Sequence, residues 1–188
     1  MDLPERRFVL DYDSAVAMRY HAERRGFCER MARTGTALSL IFGGGAFAAV
    51  IAGPDWAWVA KWTTLVVALV NALNLAFGTA DAGRKHADLY QKWAALRAEL
   101  VKVGSEDKEE IERLEVQRAK LDADTPTQLH VLSVYVENEE KKVRGEGRLY
   151  RIGWLAHAVR NFGSWSWYDP KEEGDAGPKA GVGKPASA

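Results

Sequence analysis

With 26 basic and 26 acidic side chains in 188 residues the chain carries no net charge, which gives no footing to a nucleic-acid binder. A single cysteine, Cys28, excludes an intramolecular disulfide framework and fits a reducing compartment. The mildly negative mean hydropathy hides an uneven distribution, two uncharged apolar stretches set in a remainder dense in Lys, Arg, Asp and Glu.

No cleavable signal peptide is expected, because the first apolar stretch begins only at Thr34, after a charged leader. Within that leader Val16, Tyr20, Phe27 and Met31 keep helical spacing from Ser14 to Met31, and Asp13 or Ser14 is the expected cap. The leader is expected to run straight into the first span, with Gly26 and Gly35 as weak points. That span, Thr34 to Gly53, has 20 uncharged residues. At 1.5 Å rise per residue it is about 30 Å long, the thickness of a hydrocarbon core. A second uncharged run, Trp62 to Ala80, follows after only eight residues, PDWAWVAK. So short a turn forces an antiparallel hairpin, and two such runs are hard to bury in a chain of this size.

Arg24, Arg25, Arg30 and Arg33 precede the first span and Arg84, Lys85 and Lys92 follow the second, whereas the turn has Lys61 beside Asp55. The positive-inside rule places both outer flanks in the cytoplasm. Trp56, Trp58 and Trp62 crowd the turn and are the expected aromatic anchors at the far interface.

Beyond the spans, Leu89, Trp93, Leu96, Leu100 and Val103 step by four, three, four and three residues, a heptad seam. It serves either as an oligomerisation surface or as a core shared with the chain's own later helices. Gly104 and Ser105 end it. EDKEE then opens a second helix with Ile111, Leu114 and Leu121 on its apolar stripe. A third is expected to start at Thr125-Pro126, with a stripe of Leu129, Leu132, Val136 and Val143. Gly145 and Gly147 close it, and a last helix is expected from Arg148 to Phe162. No strand is expected. The fold class is thus an all-α membrane protein: a leader helix (1–33), a transmembrane hairpin (34–80), a cytoplasmic helical, coiled-coil region (81–168) and a disordered tail (169–188).

Candidate sites lie mainly in the membrane. Gly35, Ser39 and Gly43 recur every four residues, as do Gly44 and Ala48, and Gly45 and Ala49. Such rows of small residues let helix backbones approach closely. They serve either several neighbours or one contact with the second span. In that second span Thr64, Asn71, Asn74 and Gly78 share a face. Two asparagines in hydrocarbon are costly unless paired or hydrated, so they hydrogen-bond across the hairpin or between subunits, or line a water-filled pore. Two helices enclose no lumen, so conduction requires a homo-oligomer.

Enzyme signals are poor. His21, His86, His130 and His157 show no metal-ligand spacing, Cys28 has no catalytic histidine nearby in sequence, and Asp11 to Asp13 reads as a helix-start cluster. The AGVGKP of the tail lacks the first glycine of a phosphate loop and a hydroxyl residue after Lys184. No enzyme, cofactor, metal or nucleic-acid partner is expected. Trp165, Trp167 and Tyr168, after a basic helix, have the composition of an interfacial segment that either rests on the cytoplasmic leaflet or docks on neighbouring helices.

From Arg19 to Phe162 the order of parts resembles the SLATT domain family. The matching parts are the RYHAERRGFCERMA leader, the tight hairpin, the helix carrying HADLYQKWAAL and the RLEVQRAKLDADTP run. VENEE, where Asn138 and Glu139 match a common Asn-Glu pair, completes the set. No sensor domain is fused, so the chain looks like a stand-alone member. The resemblance implies a pore-forming effector of bacterial defence in the inner membrane. It would be triggered by a sensor protein or nucleotide signal and would breach the membrane of its own cell. A non-conducting scaffold and a holin-like lesion former are the alternatives.

Overall fold

The computed structural model describes residues 2–104, 106–145, 147–165 and 167–172. They form two compact units, one ending at Asp124 and the other beginning at Thr125, so the expected 81–168 region divides there.

The first unit is built on one helix, α1 (Leu3–Ala52), of 50 residues. At 1.5 Å per residue it is about 75 Å long. Asp2 caps it by accepting from the Glu5 N–H at 2.9 Å, with proline in the first turn. The cap expected at Asp13 or Ser14 is therefore misplaced. Ser14 is buried inside the helix, its hydroxyl donating to the Leu10 carbonyl at 2.6 Å. Gly26 and Gly35 do not interrupt the helix. It ends at Gly53, whose φ of 107° leads into a 3-10 turn, Pro54–Trp56. α2 (Ala57–Phe77) starts at once, so Trp58 and Trp62 belong to its first turns rather than to a loop. At Gly78 the backbone is left-handed (φ 51°, ψ 37°), and this break separates α2 from α3 (Thr79–Lys102). The second apolar run is thus divided before its end. Val103 turns extended, and α4 (Lys108–Asp124) follows.

α1 lies antiparallel to α2 and then to α3 along nearly its whole length. The register shows in successive contacts: Ser39 with Asn71, Gly35 with Asn74, Cys28 with Gly83, His21 with His86 and Asp11 with Arg97. On α1 the buried Ser14, His21, Cys28 and Gly35 recur every seven residues. On α3 Thr79, His86, Trp93 and Leu100 do the same. Two rows with heptad spacing thus face each other.

α4 closes the far end. Leu10 of α1, Trp93, Leu96 and Leu100 of α3 and Leu114 and Leu121 of α4 form one buried cluster, with Val103 packed against it. Leu89 is buried nearby. The five seam residues Leu89, Trp93, Leu96, Leu100 and Val103 thus pack within the chain's own core, the second of the two alternatives open to them in sequence. Arg6 grips Glu115 with two nitrogens, and Asp11–Arg97 (2.8 Å), Asp13–Arg118 (2.9 Å) and Glu99–Arg113 (3.0 Å) ring the cluster. Asp11 and Asp13 are thus mid-helix ion-pair partners and not a helix start. Burial pushes the Asp13 carboxyl up more than Arg118 pulls it down.

In the second unit α5 spans His130–Arg144. The helix expected from Thr125-Pro126 starts later, because residues 126–129 stay outside helix and burial of Val131 and Leu132 fixes the first turn. Val143, expected on the apolar stripe, is exposed. The predicted helix 148–162 shrinks to α6 (Trp154–Val159). Ahead of it Tyr150–Arg151 (β1) pairs antiparallel with Lys171–Glu172 (β2), a short ladder that the sequence did not announce. Asn138 explains the change. Its side chain donates to the Tyr150 carbonyl at 2.7 Å and accepts from the Tyr150 N–H at 2.8 Å, which draws that backbone out of a helix. Of the expected tail, residues 169–172 are described and Lys171–Glu172 join this ladder; the rest, with AGVGKP and Lys184, lies outside the described residues.

Candidate functional site

Both apolar runs are long and apolar enough to cross a membrane, and the chain itself covers little of them. Within the most apolar window only 11 % of the residues in α1 and 6 % in the α2–α3 run are buried. A core helix of a soluble fold of this size would be mostly covered. Here Leu40 is 72 % and Leu75 85 % exposed, and Ile41, Phe47, Val50, Leu65 and Leu69 stand out beside them. Trp56, Trp58 and Trp62 are exposed at the turn.

What holds this part of the hairpin is narrow and partly polar. Ser39 Oγ donates to Asn71 Oδ1 at 3.0 Å. The Asn74 amide lies against Gly35, so close that a Cβ built on Gly35 would stand 2.0 Å from Asn74 Nδ2. Only glycine admits that contact. Within the chain both asparagines are thus turned toward α1, Asn71 through a hydrogen bond and Asn74 through packing. Thr64 is exposed and its hydroxyl returns to the Ala60 carbonyl at 2.7 Å, while Gly78 is the helix break. The four candidate lining residues do not converge within one chain. The small residues divide as well. Gly35, Ser39 and Ala49 face α2, whereas Gly43, Gly44 and Gly45 have nothing within 4 Å of where a Cβ would stand, and Ala48 is exposed.

One feature escaped the sequence reading. His21 and His86, 65 residues apart, meet between α1 and α3 with their Nδ1 atoms 2.9 Å apart. Both are buried, and Tyr20 packs edge-on to each ring. One ring must donate and the other accept, so a single proton lies between them. His21 Nε2 has no partner among the described residues. Burial first, and then the neighbouring His86, lowers His21 to about 4. Burial, with Arg24 and Lys85 adding to it, lowers His86 likewise to about 4. The pair is neutral at neutral pH. Cys28, one heptad further along, is also buried, and burial pushes its thiol up, so it is a packing residue and not a nucleophile. Among the described residues no three metal-ligating side chains gather. The signal that was available is positional: polar residues at Ser14, His21 and Cys28 in the heptad places where an apolar residue is expected.

In the second unit Asn138 has a structural role, while Glu139 pairs with Lys142 on its own helix at 2.8 Å. Asn138 clasps Tyr150, buried Glu140 pairs with Arg144 at 2.8 Å, and Lys141 lies over the Tyr150 ring. Arg160 lies over Tyr135 at 4.5 Å and ties α6 to α5. Compared with protein-family models, with curated proteins and with solved structures, the chain finds no match in any of the three.

Proposed function

We propose that the protein is a two-span membrane effector whose hairpins assemble in the inner membrane and breach it when triggered. The exposed apolar faces support membrane insertion, and the arginine-rich flanks of both spans support cytoplasmic termini. The observation that carries the assembly step is the open space over Gly43, Gly44 and Gly45, a surface on which the helix of a second copy fits closely. The SLATT resemblance supplies the biological sense: a sensor or nucleotide signal from elsewhere would release the lesion.

On this reading the hairpin described above is the closed form. Asn71 accepts from Ser39 and Asn74 packs on Gly35, and a polar path through an oligomer requires them to exchange those contacts for water or a second subunit. Induced expression should collapse the membrane potential, and purified protein should release dye from liposomes. A double Asn71→Leu, Asn74→Leu variant should insert and yet leak far less. Equal and harmless behaviour of wild type and variant would remove the pore.

A second reading, a non-conducting membrane scaffold, is favoured by the same asparagine contacts and by the use of the heptad seam inside the chain. It calls for a stable complex with a cytoplasmic partner and no conductance in reconstituted bilayers.

A further inference from the structure

The second unit carries an aromatic surface that neither reading uses. Trp154 is 82 % and Trp167 76 % exposed, with Leu155 beside them. Together with Trp165 and Tyr168 they border a groove of about 480 Å³. The surface is built and not frayed. The Tyr168 hydroxyl accepts from the Gly153 N–H at 2.9 Å and donates to the Arg151 carbonyl at 3.2 Å. Trp165 Nε1 donates to the Val159 carbonyl at 3.2 Å, Trp165 and Trp167 pack edge to face, and the β1–β2 ladder closes the base of the loop. Two tryptophans held open to solvent by a fixed scaffold are costly in water, which marks such a patch as a contact surface.

We propose that this surface lies in the headgroup layer of an anionic bilayer. The proposal rests on the membrane-spanning reading of the hairpin. Two observations select lipid as the occupant. Tryptophan and tyrosine, each with a polar edge on an apolar body, are the side chains that a membrane interface favours. Between Arg148 and Glu172 the chain also carries Arg148, Arg151, Arg160 and Lys171 against Asp169 and Glu172; with Arg148 ion-paired to Glu172 at 3.7 Å, it is Arg151, Arg160 and Lys171 that supply positive charge suited to anionic headgroups. Covalent linkage to an inserted hairpin keeps the patch at high local concentration near the leaflet, so weak affinity suffices.

The test uses the full chain with Cys28→Ala, reconstituted in phosphatidylcholine vesicles with and without phosphatidylglycerol. An environment-sensitive fluorophore is placed at Leu155→Cys, Trp58→Cys or Val143→Cys, the last an exposed apolar site elsewhere in the same unit. Lipids spin-labelled near the headgroup serve as quenchers. In anionic vesicles positions 58 and 155 should both lose fluorescence while position 143 does not. Arg151→Glu with Lys171→Glu should reduce the loss at 155 and leave 58 unchanged. Quenching at 58 with 155 as bright as 143 overturns the proposal and assigns the patch to water or a protein partner. Quenching at 155 that ignores both phosphatidylglycerol and charge reversal overturns the anionic assignment. A bright position 58 overturns the membrane-spanning reading itself.

Discussion

The two halves of the long hairpin follow one register and use opposite chemistry. From Leu3 to Arg33, α1 packs on α3 and α4 through buried Leu10, Trp93, Leu96 and Leu114, with a rim of ion pairs. From Thr34 to Ala52 the same helix touches α2 through a glycine, a serine–asparagine hydrogen bond and small residues, and turns its large side chains outward. In water the hydrophobic effect assembles the first half. In hydrocarbon that force between helices is absent, and close backbone approach and hydrogen bonds must serve instead. A change of packing chemistry partway along one unbroken helix is what a change of solvent along it would require.

That contrast can be broken from either side. Trp93→Ala should cost about 3–5 kcal/mol, because it empties the centre of the polar half's core. Thermal melts followed by circular dichroism in detergent should show the loss of α3–α4 helix at lower temperature, while helix within the apolar half persists. A single cooperative loss of all helix would mean that the halves are one folding unit.

The histidine pair lies within the polar half and should make it sensitive to acid. Both rings are held at about 4 in the folded chain, below their ordinary value of about 6.5. The unfolded chain therefore binds more protons between these values. Stability is fully present above about pH 6.5 and falls toward pH 4. Denaturant midpoints measured across that range should separate wild type from a double His21→Leu, His86→Leu variant, whose profile should be flatter. Parallel profiles would show that the pair does not titrate with folding.

A smaller effect is expected in the apolar half. Gly35→Ala places a Cβ on the Asn74 amide, and displacing it should cost about 1–3 kcal/mol. The expected signature is faster hydrogen exchange at the Asn71–Asn74 end of α2, with the Trp93 core unchanged. Gly43→Ala, with open space around it, should leave exchange within the monomer untouched.

Much of this was legible in the sequence wherever a long run kept one period. The two uncharged runs, the hairpin turn and the α3–α4 stripes all follow from spacing alone. The partner of the α3 seam was not legible, because α1 presents Ser14, His21 and Cys28 at heptad positions and a hydrophobic reading passes over them. Cap chemistry misled twice. Asp13 and Ser14 resemble a cap yet lie inside a helix that Asp2 starts, and Thr125-Pro126 loses to burial of Val131 and Leu132. The β1–β2 ladder depends on one distant side chain, Asn138, gripping Tyr150, a tertiary contact that no local pattern encodes. At the candidate site the sequence named the asparagines but left their direction open; Gly35 and Ser39 decide it.

The change of solvent along α1 is the central claim, and nitroxide accessibility in bilayers tests it most directly. Labels at Leu40, Phe47, Leu65 and Leu69 would be compared with labels at Val101 and Val116, which are also apolar and exposed but lie in the polar half. The account predicts that the first four are reached by molecular oxygen and shielded from a water-soluble nickel relaxant, and that Val101 and Val116 show the reverse. Equal access of the nickel relaxant to all six would contradict it and return the hairpin to water.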